Sequence, residues 1–447
     1  MQPEGIRREV ADRWIIDPMR RFISNSSMSG IVLYSSVFLA LVIANSPWAE
    51  EYHALWKHKF SIGYDAHVIS KDLHHWINDG LMAVFFFVVG LELKREIVSG
   101  ELSRPRNAIL PLSAAAGGML FPAAIYLLLN PAGEGSRGWG IPMATDIAFA
   151  LGVLYLLGNR VPLSLKVFLT ALAIADDIGA VLVIAFFYTS DINFISLLTG
   201  AIFMAVLILG NVIGIRSTIF YGIIGIGGLW LAFLMSGVHA TIAAVLAAFT
   251  IPASVKISEM TYANRISGLL DAFRRALPNR FSTVTNEQLH VVEEIRVVSK
   301  HALTPLQRLE HSMHPLVAFV ILPIFAFSNA GVTLSADSIS EIGSPVALGV
   351  MAGLLLGKVL GVAGITALLV RLRWASLPAG MNMRHVLGAG CLAAVGFTMS
   401  LFISGLAFAD ADYITQSKLG ILSASIVAGV VGYTIIRGAN KPQSPQP

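Results

Sequence analysis

The sequence predicts an all-α polytopic membrane protein with about twelve transmembrane helices. Hydrophobic residues make up 55% of the 447 residues and charged residues only 13%, far from the averages of soluble domains. The mean hydropathy is +0.72. The apolar residues fall in runs long enough to cross a bilayer, and basic residues gather between these runs. A bundle of membrane-spanning helices accounts for all of these observations.

The apolar runs divide the chain into segments. Residues 1–27 precede the first run, residues 253–314 form a long polar connection, and residues 438–447 follow the last run. Eight transmembrane helices are thus expected within 28–252 and four within 315–437. The expected spans are 28–47, 76–93, 107–129, 141–158, 164–188, 194–212, 217–235, 238–252, 315–334, 346–370, 386–409 and 416–436.

The basic residues indicate how these spans are oriented. An even number of crossings places both termini on one side of the membrane. Most of the 31 Lys and Arg residues lie in the termini and in the connections that fall on that same side. Because cytoplasmic connections carry the excess of Lys and Arg, both termini are expected in the cytoplasm.

Two stretches outside the apolar runs have patterns of their own. Residues 57–70 fall on the outer side and alternate around a turn, which fits an external hairpin or an ordinary loop. In the 253–314 connection, apolar residues from Ile266 to Leu277 recur at helical spacing beside basic residues. That pattern favours a helix on the membrane surface over a regulatory element.

Two adjacent aspartates, Asp176 and Asp177, lie at the middle of the apolar run Val167 to Tyr188. As a helix this run is about 33 Å long, so the pair is expected near the membrane midplane. A single carboxylate there costs at least about 2.5–3.5 kcal/mol, and intramembrane charges usually mark ion pathways. Consecutive helical positions differ by about 100°, so both side chains can face one cavity. The pair predicts a cation or proton site inside a transporter.

Lys358 lies in the middle of the span 346–370, at the same expected depth as the aspartates. A buried ammonium group without a counter-charge is costly, and a carboxylate at matching depth is available. We therefore expect a pair between Lys358 and one of the aspartates. Such a pair is consistent either with an ion site or with a purely structural contact that holds two helices together.

The fourth and eleventh spans carry helix-breaking residues at corresponding places in the two halves of the chain. Asp146 follows Pro142 in the fourth span, and the eleventh contains Gly390 and Gly396. Interruptions in matching positions indicate broken helices around a central site, although glycines also occur on plain packing faces. Asp146 would neutralise the positive N-terminal ends of such helices, and Lys358 the negative C-terminal ends.

Other ionisable residues lie nearer the membrane surfaces. His239 follows a tight turn on the outer side, where a structural role is favoured over proton sensing. Glu92 ends the second span, and Glu310 with His311 begins the ninth; solvated helix ends explain them as well as function does. Asp79 lies towards the outer end of its span and fits a polar cap equally well.

Eight stretches together resemble the NhaA family of Na⁺/H⁺ antiporters of bacterial inner membranes. They occur in the family's order and extend from about residue 25 to 437. The stretches are Trp-Ile-Asn-Asp79-Gly-Leu-Met-Ala-Val-Phe-Phe, Gly-Leu-Glu92-Leu-Lys-Arg-Glu96, Ala-Thr145-Asp146-Ile-Ala-Phe-Ala-Leu-Gly, Ala-Leu-Ala-Ile-Ala-Asp176-Asp177-Ile-Gly-Ala, Ser-Gly-Val-His239-Ala-Thr, Leu-Glu310-His311 with His314-Pro, Leu-Leu-Gly-Lys358 and Val-Gly396-Phe-Thr-Met-Ser.

The resemblance implies an NhaA-like fold with an inverted repeat, whose fourth and eleventh helices are broken and cross near the midplane. It implies Na⁺ binding at Asp177, a pair between Asp176 and Lys358, and compensation of helix dipoles by Asp146 beside Thr145. The residues to which it gives a pH response are Glu92, Glu310, His311 and His239.

The resemblance also gives two expectations outside the site. The external hairpin near 57–70 would join two copies of the chain in a homodimer. The 253–314 connection looks longer than in the compact members of the family, and this departure bears on the pH-response positions near Glu310 more than on the site itself.

The chemistry of the aspartates agrees with exchange of Na⁺, and of Li⁺ as a further candidate, for H⁺. Na⁺ prefers oxygen ligands, which carboxylates, hydroxyl groups and carbonyls supply. Because protonation removes the charge of a carboxylate, a proton and Na⁺ can compete for one site. Release of two protons per Na⁺ would make the exchange electrogenic. We expect no cofactor, and membrane lipid as the surrounding partner.

Two other functions share some of these features. Cation-coupled uptake of an organic solute would need a larger polar pocket than the few polar residues within the spans provide. An intramembrane aspartyl protease needs two carboxylates that converge on one water from different helices, which adjacent positions do not supply. The single cysteine, Cys391, excludes a disulfide framework, and basic residues between apolar runs do not indicate nucleic-acid binding.

Overall fold

The structure is a computed structural model that describes residues 26–64, 67–158, 161–189, 192–276, 283–334 and 340–439. Within these residues the secondary structure is helical apart from one two-stranded sheet, so the all-α prediction is confirmed. The expected N-terminal segment and C-terminal tail lie almost entirely outside the described residues.

Each α-helix of the first half except α2 overlaps one of the expected spans. In order they are α1 Ser26–Ala44, α2 Ala49–Lys57, β1 Lys59–Tyr64, β2 His67–Asp72, α3 over 73–99, α4 Pro105–Leu129, a 3₁₀ segment Glu134–Met143, α5 Ile147–Leu156, α6 Leu163–Phe187, α7 Phe194–Ile213, α8 Thr218–Leu234 and α9 Ala240–Thr250.

The second half begins with helices that lie within the long polar connection. Its elements are α10 Glu259–Arg275, α11 Asn286–Ala302, α12 Pro305–Asn329, α13 Pro345–Arg371, α14 Met383–Ala393, α15 Phe397–Ala407 and α16 Ala411–Ala439.

Six of the helices among the described residues, α4, α6, α7, α12, α13 and α16, are long and apolar enough to cross a membrane. Three pairs of successive segments pass the same test together and are bent where they meet. The angle is 41° between Glu134–Met143 and α5, 43° between α14 and α15, and 113° between α1 and α2. Up to nine crossings therefore follow from length and composition, which makes the chain a multi-pass membrane protein.

The stretch near 57–70 forms a β-hairpin, in which Ile62 lies opposite Ile69 in an antiparallel pairing. The side chain of Trp76, at the start of α3, holds this hairpin in place. Its Nε1 donates a hydrogen bond of 2.8 Å to the carbonyl of Phe60, and the two rings meet edge to face. The alternation in the sequence therefore corresponds to strands and not to an ordinary loop.

The 253–314 connection contains two complete helices, α10 and α11, where the sequence led us to expect a loop with one surface helix. Its last residues already belong to α12, which begins at Pro305 and not at the expected residue 315. Thr304 and Gln307 form a capping box at this helix start, which satisfies the free backbone N–H groups there. The capping box explains why the helix begins ten residues early.

Helices α4 and α13 pack with their backbones in direct contact. The residues of α13 that approach the backbone of α4 recur at every fourth position, Gly353, Gly357 and Gly361, and Gly349 one turn earlier packs against the Tyr126 side chain. A Cβ atom added at Gly361 would lie 2.2 Å from the carbonyl oxygen of Gly117 on α4. Four residues overshoot one α-helical turn by about 40°. The π-helical segments within 353–364 take more residues per turn, which keeps the glycines facing α4.

We expect the Gly361→Ala variant to be less stable than the unmodified protein by about 1–3 kcal/mol, because the added methyl group must push two backbones apart. The measurement is thermal unfolding in detergent. Gly364→Ala is the matched control, since nothing lies within 4 Å of a Cβ atom added at Gly364 on the same helix. Equal melting temperatures for the two variants would contradict the close contact.

Candidate ion site

The site begins with α6, a helix of 25 residues that carries Asp176 and Asp177 in its middle. Both aspartates are buried, with exposed fractions of 1% and 2%. Lys358 reaches them from the π-helical segment Gly353–Lys358 of α13 and is 0% exposed. Three charged side chains thus meet inside the protein, on two helices that are each long enough to cross a membrane.

Lys358 forms an ion pair with Asp176 through the carboxylate oxygen Oδ2. Its ammonium group also donates to the hydroxyl of Thr145 at 2.9 Å. That hydroxyl lies 2.5 Å from Asp176 Oδ2 and 2.9 Å from the carbonyl of Ala393, and its single hydrogen can serve only one of them at a time. Thr145 therefore links the ion pair to the backbone of α14.

Asp177 has no such partner. Its Oδ1 atom is buried and, within the described residues, accepts no hydrogen bond; the same holds for Oδ1 of Asp176. A buried carboxylate oxygen without a donor is costly unless it is protonated or bound to a cation. The two unsatisfied oxygens on adjacent residues thus mark the place where a proton or a cation would be stabilised.

Asp146 joins the two interrupted segments of the chain. Its Oδ1 accepts a hydrogen bond of 3.1 Å from the backbone N–H of Phe149 in α5. Its Oδ2 accepts from the N–H of Thr398 in α15 at 2.9 Å and also from the Thr398 hydroxyl. The backbone N–H of Asp146 donates to the carbonyl of Val395 at 2.7 Å. One carboxylate therefore caps the N-terminal ends of two helices, where a negative charge is favourable.

The residues that the sequence placed near the membrane surfaces have no described hydrogen bond or ion pair with this cluster. Arg95 on α3 pairs with Glu310 on α12 at 3.3 Å, three residues along α3 from Glu92. His239 shares a hydrogen bond of 2.6 Å with the carbonyl of Tyr188. These contacts hold helix ends together, and no described hydrogen bond joins them to the aspartates of α6.

Two further candidates have no described contact with the aspartates. His311 is exposed on α12. Asp79 lies in the π-helical segment Trp76–Leu81 of α3, which follows the hairpin in the chain. Its backbone carbonyl accepts a hydrogen bond of 3.3 Å from Trp230 Nε1.

Sequence reasoning did not single out Thr398 as a site residue, although its backbone and hydroxyl both bind Asp146. The available signal was its position two residues after Gly396, just inside a helix start, where a threonine N–H is free to bind an anion. Among the described residues there is no group of three or more His, Cys, Asp or Glu side chains that could hold a metal ion.

Comparison with known proteins identifies the family of this chain. Residues 20–436 match the family described as Na⁺/H⁺ antiporter 1. The chain belongs to this family. The resemblance to NhaA noted in the sequence is thereby confirmed, and the chain is a membrane antiporter and not an enzyme.

Several relatives of similar length carry the family name. A protein of Oleidesulfovibrio alaskensis named "Na(+)/H(+) antiporter NhaA" is 49% identical over 97% of this chain and 96% of its own length. "Na(+)/H(+) antiporter NhaA 1" of Saccharophagus degradans is 50% identical over 94% of this chain and 91% of its own. A relative from Acidithiobacillus ferrooxidans, again named "Na(+)/H(+) antiporter NhaA", is 48% identical over 94% and 96%.

Proposed function

We propose that this Na⁺/H⁺ antiporter 1 family member exchanges cytoplasmic Na⁺ for external H⁺ across a bacterial inner membrane, in sodium and pH homeostasis. The observation that carries the proposal is the buried cluster of Asp176, Asp177 and Lys358, in which each aspartate has one unsatisfied oxygen. The names of the relatives support the ions, since they are called Na⁺/H⁺ antiporters.

Asp177 is the primary site for the transported ion. Unlike Asp176 it has no cationic side chain in contact, so its charge is available to Na⁺ or to a proton. The second oxygen of Asp176 and nearby hydroxyl or carbonyl oxygens complete a ligand set of the kind that Na⁺ prefers. A proton and Na⁺ cannot both neutralise the same carboxylate, so they compete for Asp177. This competition couples the movement of Na⁺ to the movement of H⁺.

The pair of Asp176 and Lys358 provides a second place for a proton. If each arriving Na⁺ displaces one proton from Asp177 and one from this pair, one net charge moves per cycle and the exchange is electrogenic. The membrane potential then contributes about 2.3 kcal/mol per 100 mV to each cycle. Asp146 and Thr145 hold the surrounding helix ends and thereby keep the two proton positions in place.

Around this site we infer twelve crossings, with an inverted repeat in which the interrupted segments containing Asp146 and Gly396 cross near the midplane. The backbone hydrogen bond from Asp146 to Val395 supports the crossing. Both termini face the cytoplasm, as the distribution of basic residues indicates. The hairpin of β1 and β2 faces outward and joins two copies in a homodimer.

The pH response is assigned to residues at the helix ends. The ion pair between Arg95 and Glu310 supports this assignment, because it joins α3 to α12 through the carboxylate of Glu310, which can take up a proton. The proposed pH-response residues are Glu92, Glu310, His311 and His239. Li⁺, which also prefers oxygen ligands, is a second candidate ion.

The one-site model predicts how pH changes the apparent affinity for Na⁺. As the pH falls, protons occupy the aspartates, so the Na⁺ concentration at half-maximal rate should rise while high Na⁺ restores much of the turnover. At alkaline pH, half-saturation should need less Na⁺. The measurement is Na⁺-dependent dequenching of a pH-sensitive dye in membrane vesicles at several fixed pH values, with Li⁺ as a second ion and choline as the inert control.

A constant half-saturation together with a collapsing maximal rate at acid pH would reject the one-site model. That result would indicate a separate sensor, such as Glu92 or Glu310, that switches the protein off regardless of Na⁺. Dequenching by an organic solute with no response to Na⁺ or Li⁺ would favour solute transport and overturn the proposed function.

A further inference from the structure

A cavity of about 650 Å³ lies at the N-terminal end of α6, the helix that carries the two aspartates. Its walls come from the end of α3, the 3₁₀ turn Glu101–Ser103, the first turn of α4, the end of α5 and the first half of α6. We call it the vestibule. Its charged groups are Glu96, Glu101, Arg104 and Lys166.

The vestibule lies on the same face of α6 as Asp177. Lys166 and Thr170 line the vestibule, and Asp177 follows them by eleven and seven residues. Both spacings bring a helix back to nearly the same side, so the three residues form one line along α6. Along the axis of α6, Thr170 lies about two turns from Asp177 towards the N-terminus, and Lys166 lies about 16 Å from it in the same direction. The vestibule, with the Lys166 ammonium group in its wall, therefore lies on the N-terminal side of Asp177 along the face of α6 that Asp177 occupies.

The Lys166 ammonium is held at the wall of the vestibule. It lies over the ring of Tyr155 on α5, 5.1 Å from the ring centre, which is a favourable position for a cation. Among the described residues it forms no ion pair. The two carboxylates of the vestibule contact other groups. Glu96 forms an ion pair with Arg95 at 2.9 Å, and Glu101 accepts a hydrogen bond of 3.0 Å from the Asn107 side chain. No carboxylate in direct contact cancels the charge of Lys166.

We propose that Lys166 sets the apparent affinity for Na⁺ from the vestibule side by repelling cations from the path to Asp177. The inference rests on the proposed exchange of Na⁺ for H⁺. A fixed positive charge at the mouth of a pathway lowers the local concentration of every monovalent cation, without touching the binding site itself. Lys166 is thus an affinity-determining residue and not an ion ligand.

The charge acts on protons as well as on Na⁺, and this gives the effect a pH dependence. At alkaline pH few protons compete, so removing the charge should lower the Na⁺ concentration at half-maximal rate. Removing the charge raises the local concentrations of Na⁺ and of protons by the same factor. At acid pH, where protons already compete strongly for the site, the two effects should cancel and the half-saturating Na⁺ concentration should not change. The other charged or titratable groups that face Lys166 in the vestibule are Glu96, Glu101, Arg104 and Tyr155.

The test compares the full-length Lys166→Gln and Lys166→Arg variants with the unmodified protein in vesicles whose vestibule side faces the added Na⁺. At alkaline pH and low ionic strength we expect half-saturation at about twofold lower Na⁺ for Lys166→Gln, with an unchanged maximal rate. Lys166→Arg, which keeps the charge, should match the unmodified protein. Added choline chloride should reduce the difference in half-saturating Na⁺ between Lys166→Gln and the unmodified protein, because the salt screens the charge of Lys166.

The matched control is Arg384→Gln, which removes one positive charge from an exposed residue outside the vestibule. The same shift in this variant, or no shift in Lys166→Gln at alkaline pH, would overturn the inference. A lower maximal rate in both Lys166 variants would also overturn it, because it would assign the residue a structural role. Absence of Na⁺-dependent exchange in the unmodified protein would instead overturn the proposed function.

Discussion

The Asp177→Asn variant is expected to lose Na⁺-dependent proton movement completely while remaining folded. In the proposed exchange, the carboxylate of Asp177, which is buried and has an unsatisfied oxygen, carries a proton in one half of the cycle and neutralises Na⁺ in the other. An amide can do neither, because it has no charge to offer Na⁺ and does not titrate in the working range. Removing a buried charge that has no partner should leave the thermal stability unchanged or higher.

The measurement is dye dequenching in proteoliposomes, combined with thermal unfolding of the same preparation in detergent. The control is Asp412→Asn, which makes the same chemical change at an exposed position at the start of α16 and should leave exchange intact. Robust exchange by a well-folded Asp177→Asn protein would rule out Asp177 as the ion site.

The Lys358→Ala variant should be strongly destabilised, and adding Asp176→Asn should recover part of the loss. The ion pair between these side chains is fully buried, so removing the lysine leaves a carboxylate without compensation. Breaking a buried pair from one side costs about 3–5 kcal/mol, whereas removing both charges avoids that penalty. We therefore expect the double variant to be more stable than Lys358→Ala alone.

Thermal unfolding of both single variants and the double variant gives the coupling energy between the two residues. Lys57→Ala serves as the control for loss of a lysine, since Lys57 is exposed at the end of α2. If the effects of Lys358→Ala and Asp176→Asn simply add, the pair does not contribute to stability as a unit.

The sequence predicted that Lys358 needs a carboxylate, but depth and spacing alone did not choose between Asp176 and Asp177. Adjacent residues have the same depth within the span, and their directions differ by only about 100°. The choice depends on how far α6 is rotated about its own axis. Packing against neighbouring helices constrains that rotation: the Met119 side chain of α4 lies directly against Gly179 of α6.

The elements that the sequence did not predict depend on contacts between distant parts of the chain. The role of Thr398 depends on Asp146, 252 residues away, whose carboxylate caps its helix. The early start of α12 was visible as a capping box at Thr304 and Gln307. The pattern of apolar runs does not reveal this start, because the first turns of α12 contain polar residues such as Gln307 and Arg308.

The contact between α4 and α13 limits how this protein can move. Where two helices touch through their backbones, as at Gly117 and Gly361, they cannot slide past each other unless they first separate, because a backbone has no rotamers to change. Lys358 belongs to this contact, because a Cβ atom added at Gly118 would lie 3.6 Å from its Cδ. We therefore expect the lysine and both helices to move as one unit. For the proposed exchange, we expect the shear motions that open Asp177 first to one side and then to the other at the borders of that unit, where layers of larger side chains can slide.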